Sequence, residues 1–138
     1  MYTYEEYINK VINKELQVCQ AAFLSVKRHL DDIEKSKNND DYPFYFDDNE
    51  AKRPITFIQS LVHTKGEWAN HNIILEPWEQ FIIASIFGWR RKENKLRRYK
   101  KAYVQVSRKM EKLLLHLELG IIVFSATVLQ RLELKYTI

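Results

Sequence analysis

Residues 75–89 read LEPWEQFIIASIFGW, and this stretch decides the fold. Pro77 suits the first turn of a helix, where its missing N–H has no helical partner to lose, and Gly88 is a natural stop. The residues between them are apolar nearly all round, which is typical of a helix at the centre of a core. We therefore predict a central helix from Pro77 to Gly88 that carries Trp78, Phe81, Ile82, Ala84, Ile86 and Phe87.

The leading region, residues 1–37, is predicted to form one long helix. Over residues 3–36 apolar side chains recur mostly three or four positions apart, and Thr3 and Glu6 have the spacing of a capping box. Cys19 lies on this stripe, so we expect a small buried side chain rather than a reactive thiol. The stripe consists of Tyr4, Ile8, Val11, Ile12, Cys19, Phe23, Val26, Leu30 and Ile33.

An acidic stretch follows the leading region. Between Asp31 and Glu50 there are eight acids and two lysines, without the spaced carboxylates of a calcium-binding loop. A solvated loop is therefore predicted, followed by a second helix from about Asn49 to His63 that Gly66 ends. Four aromatic side chains are expected to hold the loop on the domain: Tyr42, Phe44, Tyr45 and Phe46.

Composition limits the classes of function. The 138 residues fit one domain, and three glycines are too few for glycine-rich phosphate loops or an all-β fold rich in tight turns. A single cysteine excludes an intramolecular disulfide and a cysteine-rich zinc site, which favours a reducing cytosol. The polar, acidic start predicts no signal peptide. The apolar stretch Leu113 to Leu129 falls short of the ~20 residues that a membrane helix needs.

A basic stretch, Arg90 to Lys101, lies between the central helix and a predicted strand. It holds eight cations and one acid, although the whole chain has a formal net charge of only +4. It is interpreted either as a solvated basic hairpin or loop, or as a surface that contacts phosphates. For the second case the candidate residues are Arg90, Arg91, Arg97 and Arg98. The alternating, β-rich stretch Ala102 to Val106 is the first convincing strand.

Three segments occur together in a recognisable order: PITFIQSLVHTKGEWANHNIILEPWEQFIIASIFGW, the basic stretch, and RRYKKAYVQVSRK. They resemble the N-terminal part of the large terminase subunit of tailed bacteriophages, over about Tyr42 to Lys109. Proteins of that family contain a packaging ATPase followed by a nuclease domain. The predicted helices and the predicted strand give this chain a mainly α fold with one or two short β-strands. The resemblance assigns residues 38–109 to the N-terminal ATPase region, an incomplete P-loop α/β domain with its first strand.

The resemblance also implies site residues on the adenine side. In the family, a tryptophan precedes a glutamine that helps to hold adenine. Trp78 matches the tryptophan, Glu79 stands where glutamine is usual, and Gln80 follows. An ionised glutamate only accepts hydrogen bonds, whereas glutamine also donates them. Adenine recognition is therefore expected to be weakened or shifted by one residue; the alternative for Trp78 is a plain core anchor.

The family's Walker A motif, R-K-N-G-K-S/T, is only partly present after the strand. Arg108, Lys109 and Lys112 match this remnant, while Met110, Glu111 and Leu113 replace asparagine, glycine and the hydroxyl residue. The glycine lets backbone amides surround phosphates, and the hydroxyl ligates magnesium. A glutamate adds a Cβ and negative charge there, and leucine removes the metal ligand. We expect neither ATP nor Mg²⁺ as a cofactor of this chain, although the intact family uses both.

From Met110 onward the resemblance stops, which suggests a frameshift. Read from the third base of the Lys109 codon, the possible codons of Lys109 to Leu113 permit N-G-K-T. The same frame permits G-I-G, F-S-D-G and G-A-E-I-Y further on, and such sequences follow Walker A in the family. Residues 110–138 are therefore interpreted as an out-of-frame or degraded tail, with no catalytic residue and no ATPase, translocation or nuclease activity expected.

Two other interpretations stay open at this point. The chain could be a small basic helical module that binds DNA or protein, or the frameshift could be a sequencing error in a full-length gene. For the intact family, the implied partners are phage DNA, the small terminase subunit and the portal, in the cytoplasm of a bacterial host. No membrane association and no metal site are expected.

Overall fold

The computed structural model describes residues 3–62 and 69–103. The chain divides into two compact units after Ala102, and the helices and strands named here belong to the first unit, Met1–Ala102. Within the described residues the order of elements is α1 (Tyr4–Ile12), α2 (Gln20–Asn38), β1 (Phe44–Phe46), α3 (Asp48–Ser60), α4 (Pro77–Gly88) and β2 (Trp89–Arg91). The prediction of a mainly α fold with short strands is confirmed. No helix in these two stretches is long and apolar enough to cross a membrane.

Helix α4 is the predicted central helix and has the predicted bounds. It packs against α1 and α3. Its fully buried residues share one broad face, while Trp78, Ile82 and Ile86 on the other side are half-buried. Its first turn is fixed by a capping box in which the Glu76 carboxylate accepts from the backbone of Glu79, and the Glu79 carboxylate accepts from Glu76 N–H at 2.8 Å.

The prediction of one long leading helix is wrong, because two helices, α1 and α2, occupy that region. Helix α1 ends in a Schellman motif. The N–H of Glu15 bonds to the carbonyl of Lys10 at 2.9 Å, and the N–H of Lys14 bonds to that of Val11 at 3.2 Å. Lys14 takes the left-handed position, φ 59°, that glycine usually occupies there. No glycine marks the end of α1 in the sequence, and the helical spacing of apolar residues continues past it, so the end of the helix was not predicted.

Two smaller predictions about the leading region are also wrong. Cys19 is exposed rather than buried, since it precedes α2 as its N-cap residue and not as part of a helical stripe. The Thr3–Glu6 capping box is absent: the Thr3 hydroxyl lies 3.3 Å from a carboxylate oxygen of Glu5 and caps no backbone N–H.

Helix α3 is shorter than the sequence predicted and begins one residue earlier. The Asp47 carboxylate caps it by accepting from the N–H groups of Asn49 at 3.0 Å and Glu50 at 3.3 Å. Leu61 already has extended backbone, so the helix stops before Val62. The predicted stop at Gly66 lies outside the described residues.

A two-stranded antiparallel ribbon joins the acidic and basic stretches. Strand β1 pairs with β2 in the register Phe44–Arg91, Tyr45–Arg90 and Phe46–Trp89. Neither strand was predicted, since three residues are too few to show a two-residue period. The strand predicted at Ala102 to Val106 falls mostly outside the described residues, and Ala102 and Tyr103 are not in a strand.

Gly88 allows the close approach of α4 to β1 and α3. A Cβ placed there would lie 2.8 Å from a ring carbon of Phe46 and 2.9 Å from the Cβ of Ala51, inside normal contact distance. A larger residue would push these elements apart, so glycine at this position reflects packing as well as the end of the helix.

Candidate functional site

The three residues proposed for the adenine side, Trp78, Glu79 and Gln80, lie in the first turn of α4. Two of them form hydrogen bonds with the backbone at the start of the helix. Glu79 closes the capping box described above. Gln80 is buried, and its amide nitrogen donates to the carbonyl of Leu75 at 3.1 Å. Trp78 is half-buried. Glu79 and Gln80 thus both stabilise the start of the helix, a structural role that the sequence motif did not reveal.

The residues of the Walker A remnant, Arg108, Lys109 and Lys112, lie outside the described residues. The structure therefore does not place them relative to the first turn of α4.

The basic hairpin, which we define as residues 89–98, contains the four arginines proposed for nucleic acid. It comprises β2, a turn, and a return segment in which the N–H of Arg98 donates to the carbonyl of Trp89 at 2.9 Å. Arg90 and Arg97 face each other across it as an isolated antiparallel pair. The N–H of Arg91 donates to the carbonyl of Leu96, also at 2.9 Å, and closes the turn.

Arg90 is tied into the protein on every side of its guanidinium. Its Nη2 lies 2.8 Å from a carboxylate oxygen of Glu50, while Nε and Nη1 donate to the carbonyls of Phe87 and Lys95 at 3.0 and 3.1 Å. Its side chain is only 14% exposed. Interpreting Arg90 as part of a solvated loop is therefore wrong, because the residue links the hairpin to α3.

Arg98 is likewise a structural residue. Its Nη1 lies 2.8 Å from Asp32 Oδ2 and 3.3 Å from the Tyr42 hydroxyl. The guanidinium also lies 4.3 Å from the ring centroid of Phe44 and 5.4 Å from that of Trp89, within cation–π range. The Asp32 side chain is only 7% exposed, so this ion pair is largely removed from water.

Arg91 and Arg97 differ from these two arginines. Arg91 is exposed, and Arg97 is half-buried with its guanidinium 5.3 Å from the ring centroid of Phe87. Neither has an ion pair with an acid in the described part of the chain. Burial, and to a lesser degree the neighbouring Arg90, lower the pKa of Arg97. The four arginines therefore divide into two structural residues and two that form no ion pair with an acid among residues 3–62 and 69–103.

A second charged cluster connects α1 and α3. Lys52 lies 2.6 Å from a carboxylate oxygen of Asp48 and 3.2 Å from one of Glu5. The Tyr4 hydroxyl also donates to Asp48. Burial, with this hydrogen bond, raises the pKa of Tyr4. Partial burial opposes ionisation of Asp48, but the hydrogen bonds from Lys52 and Tyr4 lower its pKa. The cluster anchors α1 rather than forming a site.

His29 is a buried polar residue that the sequence reasoning missed. It lies on α2, and its Nδ1 accepts a hydrogen bond from Trp89 Nε1 at 3.0 Å. His29 lies three residues after Val26, and both side chains are buried. This helical spacing was the signal in the sequence that His29 faces inward. No group of three His, Cys, Asp or Glu side chains among residues 3–62 and 69–103 is arranged to hold a metal ion.

Comparison with known protein families found a similarity over part of this chain. Residues 77–126 match the family model of the terminase large subunit, ATPase domain. The matched interval begins at the first residue of α4 and includes the basic hairpin and the Walker A remnant, and it continues beyond Lys109. It supports a terminase large-subunit ATPase domain over these residues. A search of curated proteins and a search of solved structures each found no match.

Proposed function

We propose that this chain is the N-terminal piece of a phage terminase large subunit, the ATPase of a DNA-packaging motor, from a phage or a prophage. The family match over residues 77–126 carries this proposal. It favours this interpretation over an independent small binding module. In the intact motor the partners would be phage DNA, the small terminase subunit and the portal, in the bacterial cytoplasm.

The frameshift interpretation is part of the same proposal. It rests on the possible codons of residues 109–137, which permit several family sequences in one shifted frame. Because the family match continues to residue 126, an in-frame but degraded loop is the competing explanation. The test is the nucleotide sequence of the gene. A shifted frame that encodes N-G-K-T at Lys109 to Leu113 and stays open into a nuclease domain supports the proposal. Early stop codons in that frame would overturn it.

As it stands, the chain is expected not to bind ATP specifically. Glu111 and Leu113 replace the glycine and hydroxyl residues that a phosphate loop needs, so the phosphates and Mg²⁺ lose their ligands. Isothermal calorimetry of the full chain with Mg-ATP should give no saturable heat at micromolar concentrations. Mg-tripolyphosphate serves as the control, because it reports simple attraction of phosphate to the basic hairpin. A micromolar dissociation constant for ATP, but not for tripolyphosphate, would contradict the expectation.

Within this proposal, contact with DNA is assigned to Arg91 and Arg97 rather than to all four arginines. Arg90 and Arg98 already hold Glu50 and Asp32, whereas the other two lack an acidic partner in the described part of the chain. We expect Arg91→Ala/Arg97→Ala to weaken duplex binding at ~50 mM salt and to reduce the slope of log affinity against log salt by up to about 2, one unit per lost phosphate contact.

The matched control for this variant changes the net charge equally elsewhere. Lys27 and Lys37 are exposed on α2, so Lys27→Ala/Lys37→Ala should leave the salt slope unchanged. Gel retardation or fluorescence anisotropy over a salt series gives both values. Equal losses in the two variants would mean that only net charge matters, and the assignment to the hairpin would then fail.

A further inference from the structure

The contact between His29 and Trp89 joins α2 to the basic hairpin through a single buried hydrogen bond. His29 is only 5% exposed, and three aromatic rings meet it edge to face. The ring centroids lie 4.8 Å away for Phe46 and 5.6 Å for both Phe81 and Trp89. Since Trp89 Nε1 always carries its hydrogen, His29 Nδ1 must be unprotonated to accept it.

The charged groups around His29 make its surroundings sensitive to a proton. Arg28 and Asp32 act on it from the same helix. Asp32, one turn further on, accepts a hydrogen bond from Arg98 of the hairpin, and the same guanidinium nitrogen also donates to the Tyr42 hydroxyl. The elements that pack against the imidazole otherwise present rings, Phe46 from β1 and Phe81 from α4. Among the described residues, the contacts bring no carboxylate other than Asp32 to His29 that could balance the positive charge of a protonated imidazole.

We infer that His29 is an acid-sensitive latch that holds the basic hairpin on α2 and releases it when its Nδ1 is protonated. A proton on Nδ1 turns the acceptor into a donor that faces the donor Trp89 Nε1–H. The new imidazolium would also compete with Arg98 for Asp32, the carboxylate that acts on His29 from the same helix. One proton therefore weakens both contacts between the hairpin and α2. This inference does not depend on the proposed function.

The electrostatics agree in direction with this geometry. Burial, opposed by Asp32 and reinforced by Arg28, lowers the pKa of His29 from 6.5 to about 4. Because the pKa of His29 is lower in the closed form than in the open form, the open form takes up the proton at a higher pH. Opening of the latch is therefore least favourable above about pH 6.5 and becomes more favourable as the pH falls toward 4. Linkage limits the effect of one proton to a tenfold rise in the opening equilibrium per pH unit.

Amide hydrogen exchange of the full chain between pH 7 and 4 tests the inference. After correction for intrinsic exchange rates, the opening equilibrium reported by the Trp89 indole N–H, which donates to His29, should rise several-fold per pH unit below 6.5. The core N–H groups of α3 and α4 should change less. His29→Phe keeps a ring but cannot take up a proton, and it should abolish this pH dependence, whereas His71→Gln should preserve it. If the Trp89 indole N–H and the core amides open together, or if His29→Phe keeps the wild-type slope, the latch is ruled out.

A direct titration covers the case in which His29→Phe does not fold. In the wild-type chain, the NMR signal of the His29 ring and that of the Trp89 indole N–H should shift together, with a midpoint well below 6.5. An ordinary midpoint near 6.5 with an unchanged Trp89 signal would overturn the inference.

Discussion

Replacing Trp89 by alanine is expected to lower the free energy of unfolding by about 3–5 kcal/mol, the usual cost of removing a buried aromatic side chain. Trp89 is 1% exposed and contacts the rings of His29 and Phe46 as well as the guanidinium of Arg98. Its loss leaves a cavity and removes the hydrogen bond to His29. Urea denaturation followed by circular dichroism measures the change.

Two matched variants separate the contributions at this position. Trp89→Phe keeps most of the ring volume but loses the donor to His29, so its cost should be smaller. Trp78→Ala removes a tryptophan that is only half-buried and should also cost less than Trp89→Ala. If Trp78→Ala proved as destabilising as Trp89→Ala, Trp89 would not be the main aromatic anchor of this core.

Replacing Arg98 by alanine is the second large effect, with an expected loss of about 2–4 kcal/mol, since it leaves the buried Asp32 without its main partner. Lys35 lies 3.8 Å from the other oxygen of Asp32 but is itself exposed, so it cannot substitute fully. The double variant Asp32→Asn/Arg98→Ala should lose less stability than the sum of the losses of the two single variants, because no buried charge remains unpaired.

Arg91→Ala is the control for Arg98→Ala in the same hairpin. Arg91 is exposed and has no ion pair in the described part of the chain, so its replacement should change stability by no more than about 0.5 kcal/mol. Equal losses for the two arginines would show that the Asp32–Arg98 pair contributes nothing of its own.

The sequence was most informative where local chemistry alone determines structure. Helix α4 has a proline at its start, a glycine at its end and apolar residues between, and each of these signals acts within a few residues. The end of α1 shows the opposite case. Its Schellman motif uses Lys14, which carries no signal for a left-handed conformation, so periodicity could not distinguish one helix from two.

The candidate site was harder to predict, because its contacts join distant parts of the chain. The acidic stretch was interpreted by itself as a solvated loop, and the basic stretch by itself as a solvated hairpin or loop or as a surface that contacts phosphates. In the structure Glu50 pairs with Arg90 across 40 positions, and Asp32 pairs with Arg98 across 66. Composition reveals both groups of charges but not their pairing, which depends on how α2, α3 and the hairpin pack.

The apolar surface of α4 has a consequence for how the protein is made. The helices that cover it, α1 and α3, come from residues 3–62, which precede the family match and leave the ribosome first. Helices α1 and α3 are therefore synthesised before α4, the helix against which they pack. Apolar segments that are exposed during folding are the usual starting points of aggregation. This order of synthesis shortens the time for which the apolar surface of α4 is exposed to solvent.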